Sequence, residues 1–315
     1  MEIEVSVVVP MYNAGPYLEP CLKSLCTQNF DSYEILIIDD ASTDGSRDIA
    51  EKFATSVEKC KVFFHRFRMG AACSRNDGLA LAHGHFVMFL DADDRYELNY
   101  ISSMYHKIVR YNADVCHCNR IMHDMKTGET WEQKVLSDTW KKKLMRTFNW
   151  HDLGRYTFLL FNVAPGTKMI NRKMLIETGL SFQNLENSND VFWGDMLLVV
   201  SKCMVYIPHA YVHKHVNWGG NIGATRGQRP MCAFFAHKKL HDELKKMHLP
   251  EMIWKSYSEW TIHNLLFALQ CSDWNDSFFD FLRTQGLSEL EVGDMHQSDF
   301  SNPILWKEYC KLQCT

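Results

Sequence analysis

The 315-residue chain has no run of about 18 apolar residues, so no segment is expected to cross a bilayer as a helix. It has no Cys-x-x-Cys pair among its eleven cysteines, and the nearest two are Cys116 and Cys118 in "DVCHCNR". An odd, scattered set of thiols predicts reduced, buried cysteines rather than a disulfide framework or a zinc site. Basic charge is not in excess: 34 Lys and Arg face 38 Asp and Glu, for a formal net charge of −4. That balance predicts no nucleic-acid partner. The opening "MEIEVSVVVPMYN" has no basic n-region and no small-residue cleavage site, so no secretory signal is expected and the expected location is cytoplasmic. No G-x-G-x-x-G follows the first apolar run, and no G-x-x-x-x-G-K-[ST] is present. Dinucleotide-fold and P-loop modes of phosphate binding are therefore set aside.

What is present is enough apolar material, 46% of residues, for a sizeable core. "IEVSVVVP", "YEILIIDD", "KVFFHRF", "HFVMFLDADD" and "ADVCHC" read as strands, the first two apolar enough to be buried on both faces. Helical patterns separate them. In "AGPYLEPCLKSLCTQ", Tyr17, Leu18, Cys21, Leu22 and Leu25 share one helical face. "STDGSRDIAEKFATS" predicts a helix capped by Ser42 or Thr43. Such alternation predicts an α/β fold with a mostly parallel sheet covered on both faces. "IMHDMKTGETWEQKVL" predicts a hairpin turning at Thr127-Gly128, "GTKMINRKMLIETG" a strand and short helix, "NDVFWGDMLLVVSKC" a helix and "MVYIP" a last strand. Beyond that only helical patterns remain. The expected organisation is an α/β domain over residues 1–223 and a helical C-terminal region over 224–315.

Three predicted strands end in polar residues: Pro10-Met11-Tyr12-Asn13, Asp39-Asp40 and Asp91-Ala92-Asp93-Asp94. In an open parallel sheet these ends share the edge where ligands bind. Carboxylates gathered there repel one another unless a cation compensates. A hard divalent ion bridging to a diphosphate would do so, because such ions take oxygen ligands. The competing interpretation is a solvated acidic turn capping the next helix.

The stretches "VSVVVPMYNAGPYLEPCLKSLCTQ", "YEILIIDDASTDGS", "GAACSRNDGLALAHGHFVMFLDADD" and "GTKMINRKML" resemble, in order, the blocks of family 2 inverting glycosyltransferases of GT-A fold. "NSNDVFW" is similar to a stretch of bacterial capsule and exopolysaccharide transferases. The resemblance implies a nucleotide-sugar donor, UDP-linked, and a saccharide or lipid-linked saccharide acceptor. It implies Pro10, Tyr12, Asn13, Asp39, Asp40, Arg75, Asn76, Asp91 and Ala92 around the donor. Asp93 and Asp91 would hold Mn²⁺ or Mg²⁺, and Asp190 would be the catalytic base. Where the family carries Glu-Asp, this chain has Asn189-Asp190, which leaves Asp195 as a second candidate. No Q-x-x-R-W motif is present, so processive polymer synthases match poorly.

"YVHKHVN" places His213 and His215 on one strand face, and the resemblance to GT-A enzymes, some of which place a metal or phosphate contact in this region, implies His215 as a candidate for one. The glycines of "NWGGNIGATRG" suggest a mobile loop over the donor. The C-terminal helices carry Trp254, Trp260, Phe267 and the lysines 238, 239, 245 and 246. These aromatics either pack on the catalytic domain or make peripheral contact with the inner face of a plasma membrane. Two rival functions share parts of this pattern. A phospho-receiver or nucleotide-binding regulator also gathers aspartates at strand ends, and a sugar nucleotidyltransferase shares the broad fold but needs a Gly-rich basic loop that "PMYNAGPY" lacks.

Overall fold

A computed structural model describes residues 2–144, 146–161, 163–219 and 226–313. Its sheet runs β3 (Cys60–Phe64), β2 (Tyr33–Asp39), β1 (Val5–Met11), β4 (Phe86–Phe89), β8 (Lys168–Asn171), β6 (Val115–Asp124), β9 (Met204–Val216) and β5 (Arg95–Tyr96), with β7 (Thr130–Gln133) beside β6. The expected parallel half is β3-β2-β1-β4. The other half is mixed, since β8 is antiparallel to both β4 and β6 while β9 is parallel to β6.

The unbroken apolar runs follow from burial on both faces. Val8, Leu36, Ile38, Val87 and Phe89 enter one apolar layer, and their neighbours Val7, Val9, Ile35, Ile37 and Met88 enter the opposite one. The second layer is closed by Leu18, Cys21, Leu22 and Leu25 of helix Leu18–Cys26 and by helix Tyr100–Arg110. The first is closed by helix Val191–Val200 and by the C-terminal helices Met231–Lys245, Glu251–Cys271 and Pro303–Gln313. Each fully buried Leu or Ile in these layers contributes roughly 1.5–3 kcal/mol. Helix Ala71–Leu81 lies against β1 so closely that a Cβ on Gly78 would fall 2.2 Å from a Val8 methyl carbon.

The hairpin turns as expected, with Gly128 at φ 78° and its N–H donating to Asp124 O at 2.8 Å. Two elements differ from the sequence expectation. Helix Ser46–Ser56 starts after Gly45, not at Ser42 or Thr43. Those two residues are tied to the end of β1: Asn13 N donates to Ser42 Oγ at 3.0 Å and Thr43 N to Asn13 Oδ1 at 2.8 Å. And β9 continues past Pro208 to Val216, because a bulge opposite Cys118 and Asn119 loops Pro208 and His209 out of the ladder. The expected boundary at residues 223/224, and most of the expected mobile loop, lie outside the described residues. The apolar layer that holds Val8 and Phe89 also holds Leu265 and Leu312, so the helical region shares the core of the sheet.

Candidate active site

The ends of β1, β2 and β4 meet at one edge. From β1, Asn13 adopts φ 45° and clasps the loop after β2 through Ser42 and Thr43. Pro10 is half-buried just before the strand end. Tyr12 is 38% exposed, with the Arg68 guanidinium 4.2 Å from its ring centroid. From β2, Asp39 is buried, and its Oδ1 accepts from Ser42 N at 3.1 Å while Oδ2 has no hydrogen-bond partner among the described residues. Asp40 is buried as well. Its two oxygens accept from Met69 N and Gly70 N, both at 2.7 Å, and Oδ1 also meets His65 Nδ1 at 2.8 Å. Asp40 thus fixes the 69–70 backbone beside the end of β2.

Past β4 the chain turns through Asp91, buried Ala92, Asp93 and buried Asp94. One carboxylate oxygen from each aspartate lies within 4.8 Å of the others. Arg75 Nη2 donates to Asp91 Oδ1 at 2.9 Å, and Lys214 Nζ to Asp91 Oδ2 at 3.0 Å and Asp94 Oδ2 at 3.4 Å. His215 N donates to Asp94 Oδ1 at 3.1 Å, and Trp218 Nε1 to Asp93 Oδ2 at 2.9 Å. Burial works against ionisation of Asp91, but Lys214 and Arg75 outweigh it and hold that carboxyl well below the usual range. Burial and the neighbouring aspartates push Asp94 up to about 8 against the pull of Lys214. Three carboxylates hold the Lys214 ammonium charged despite its burial. An all-carboxylate donor set suits a hard divalent ion. His215 is not part of that ligand group among the described residues; its Nδ1 sits 2.6 Å from the Asp93 carbonyl oxygen. Its neighbour His213 stacks on His123, with ring nitrogens 3.0 Å apart.

Asp190 is half-buried at the N-cap of helix Val191–Val200 and makes no side-chain capping bond. Its approach is fixed from outside. Asn189 Oδ1 accepts from Arg75 Nη1 at 3.0 Å, so one guanidinium joins the Asp190 loop to Asp91. Asn76 turns its amide to the Phe182 backbone, donating to O and accepting from N at 2.9 Å each. Asp195 is buried one turn into the helix, where it accepts from Trp260 Nε1 at 2.8 Å and burial pushes its carboxyl up. Two further basic residues are within electrostatic range of Asp190. Arg120 of β6 is in Coulombic reach of Asp94, Asp91 and Asp190. Lys168 of β8 is buried, and burial together with Arg120 pushes it down to about 7, opposed by Asp190 and Asp195.

Sequence reasoning brought the aspartates, Arg75 and Asp190 to one place but missed Arg68, Arg120, Lys168, Asn189, Lys214 and Trp218. For Lys214 a signal existed. On a strand, the residue between two histidines that share one face points to the other face.

The sequence model of a family described as Glycosyl transferase family 2 matches residues 6–179. The chain is 30% identical over 195 residues to the uncharacterized glycosyltransferase YibD of Escherichia coli (strain K12), covering 60% of this chain and 55% of the relative. It is 41% identical over 93 residues to the putative teichuronic acid biosynthesis glycosyltransferase TuaG of Bacillus subtilis (strain 168), covering 30% and 37%. The matches thus span little more than half, or less, of these relatives' own length. Among solved structures, S. aureus TarS 1-349 in complex with UDP-GlcNAc has a TM-score of 0.73 at 20% identity, over 99% of this chain and 88% of that one. That likeness is one of fold, and it is the GT-A fold.

Proposed function

Because the chain belongs to glycosyl transferase family 2, we propose that it moves a sugar from a nucleotide-sugar, UDP-linked, to an acceptor hydroxyl with inversion and without processivity. The observation that carries this is the trio of carboxylate oxygens within 4.8 Å of one another just after β4, on the sheet edge that β4 shares with the ends of β1 and β2, tied through Arg75 to the loop of a further carboxylate, Asp190.

Pro10, Tyr12, Asn13, Asp39 and Asp40 form the base and ribose end of the donor cleft. Asp39 Oδ2, buried without a hydrogen-bond partner among the described residues, is an acceptor that a donor group of the nucleotide would satisfy. Arg75, with Asn76 behind it, Asp91 and Ala92 form the wall nearer the diphosphate. Asp93 and Asp91 would hold Mn²⁺ or Mg²⁺. When bound, such an ion neutralises the charge that grows on the leaving diphosphate. Asp190 takes the acceptor hydroxyl proton while the anomeric carbon is attacked from the face opposite the diphosphate, which is the single displacement that inverts configuration. Arg75 keeps the Asp190 loop in register with Asp91. Asp195 is too deeply enclosed to replace Asp190.

The acceptor is a saccharide or lipid-linked saccharide in cell-surface polysaccharide assembly, in keeping with the name of the TuaG relative. Work on a lipid-linked acceptor places the protein at the cytoplasmic face of a membrane, with peripheral contact through the C-terminal helices. No helix among the described residues is long and apolar enough to cross one.

The test is a panel of UDP- and GDP-sugars incubated with the protein and Mn²⁺, reading nucleotide release. Release of UDP from one or a few donors is expected. Pyrophosphate release instead would make the protein a nucleotidyltransferase, and uptake of a phosphoryl group without nucleotide release would make it a receiver.

A further inference from the structure

The Asp91–Asp93–Asp94 cluster already contains a cation of its own. Lys214 Nζ lies 3.0 Å from Asp91 Oδ2 and 3.4 Å from Asp94 Oδ2. The pair is not a surface contact that solvent screens, because the Lys214 side chain is 23% exposed, Asp91 24% and Asp94 2%. Lys214 is also held in place by the fold. It pairs with Met122 in the β6–β9 ladder, and the next N–H of the strand, that of His215, donates to the other Asp94 oxygen at 3.1 Å. Trp218, two residues past β9, closes the set on Asp93 Oδ2. The end of β9 therefore delivers three donors to the three aspartates.

A divalent ion on Asp91 and Asp93 would sit a few ångströms from the ammonium that contacts Asp91 Oδ2 and Asp94 Oδ2, so the two cations would compete for the same carboxylates and repel each other. A phosphate has the opposite relation to Lys214. The two carboxylate contacts use two of the three N–H donors of an ammonium, and lysine binds phosphate as a point charge.

We propose that Lys214 is the resident cation of this site. It neutralises the aspartates before the donor arrives, it keeps divalent-ion affinity low, and it contacts the donor diphosphate, so that nucleotide binding persists when divalent ions are removed. The diphosphate half of this proposal rests on the nucleotide-sugar reading above; the metal half rests on the cluster alone.

The experiment uses the full chain and two titrations. In the first, Mn²⁺ alone is titrated into nucleotide-free protein, wild type and Lys214→Met, with binding read from the electron paramagnetic resonance of free Mn²⁺. The methionine keeps the aliphatic stem and removes the charge. Mn²⁺ affinity at least about tenfold higher in Lys214→Met is expected, from removal of a cation in contact with the ligands. Equal or weaker Mn²⁺ binding in the folded variant overturns the proposal. In the second, UDP is titrated calorimetrically in EDTA and in Mn²⁺. Wild type is expected to keep UDP affinity in EDTA within about tenfold of its value in Mn²⁺, and Lys214→Met to lose at least about tenfold in EDTA. A wild-type affinity that collapses by about a hundredfold in EDTA overturns the proposal without any variant, which covers the case in which Lys214→Met does not fold. If wild type binds no nucleotide under either condition, the nucleotide-sugar reading fails and the diphosphate half with it. The Mn²⁺ titration then decides the metal half on its own.

Discussion

Replacing Arg75 with methionine tests whether the Asp190 loop is held by the carboxylate cluster. The Arg75 guanidinium is buried, donates to Asp91 Oδ1 at 2.9 Å and to Asn189 Oδ1 at 3.0 Å, and lies 5.2 Å from the Phe182 ring centroid. Hydrogen bonds that involve a charged group contribute about 1.5–3 kcal/mol each. Stranding a buried charge without any partner costs about 3–5 kcal/mol. Asp91 is not stranded here, because Lys214 still reaches its other oxygen at 3.0 Å. The two lost bonds sum to about 3–6 kcal/mol, and because Asp91 keeps a partner the expected loss lies at the low end, about 3–4 kcal/mol. For a chain of 315 residues a loss of 1 kcal/mol lowers the melting temperature by about 1.5 °C, so the expected shift is about 4–6 °C. The assay is thermal unfolding followed by circular dichroism, on Arg75→Met, Asn189→Ala and the double variant. Since both singles break the same contact, the double should fall short of additivity by at least about 0.5 kcal/mol. Additive effects, or a melting temperature within about 1 °C of wild type for Arg75→Met, would refute the tie between the two carboxylate sites.

Three other outcomes follow from the same geometry. Asp190→Asn keeps the shape of the side chain and should lower transfer by about 10² to 10⁴ while leaving donor affinity unchanged; steady-state rates and donor binding on one preparation check this, and wild-type turnover would remove Asp190 from the base role. Asp40→Ala leaves Met69 N, Gly70 N and His65 without their shared acceptor, so it should weaken UDP binding even in EDTA and cost about 1–3 kcal/mol of stability; calorimetry and urea unfolding read the two effects. Burial pushes His237 down to about 3 from its ordinary 6.5, so it stays neutral in the folded protein while the unfolded chain takes up a proton as pH falls below 6.5. That stabilisation is complete above pH 6.5 and is lost towards pH 3, by up to about 1.4 kcal/mol per pH unit. Asp94, raised to about 8, acts in the opposite sense between its unfolded value and that pH. The comparison is therefore between wild type and His237→Gln at pH 7 and pH 5, and wild type should lose more stability than the variant; equal losses contradict the buried neutral histidine.

The parallel half of the fold was legible because burial on both faces leaves its mark in consecutive residues: Val7, Val8 and Val9 must all be apolar when alternate side chains enter different layers. The strand-end aspartates were legible for a similar local reason, since a charge cluster directly after a buried strand has few structural uses. What could not be read depends on pairing between distant segments. Pro208 looked like the end of a strand, yet a bulge carries β9 eight residues further and so brings Lys214 to Asp91 and Asp94. Ser42 and Thr43 looked like helix caps, yet Asn13 engages both first. The Arg75–Asn189 contact joins residues 114 apart, and nothing local to either one announces it. His215 is a candidate metal or phosphate contact by resemblance, and nothing local to it announces that the fold turns its Nδ1 to the Asp93 carbonyl and brings the neighbouring Lys214 onto Asp91 and Asp94.

The central claim is that the three strand ends form a donor site whose diphosphate end is built on Asp93 and Asp91. It is tested most directly by calorimetric titration of UDP, in Mn²⁺, into wild type and Asp93→Ala. Wild type should bind UDP. The variant should fold, as judged by circular dichroism, and lose the part of that affinity that depends on Mn²⁺. A folded Asp93→Ala protein whose UDP affinity still responds to Mn²⁺ as wild type does would contradict the claim.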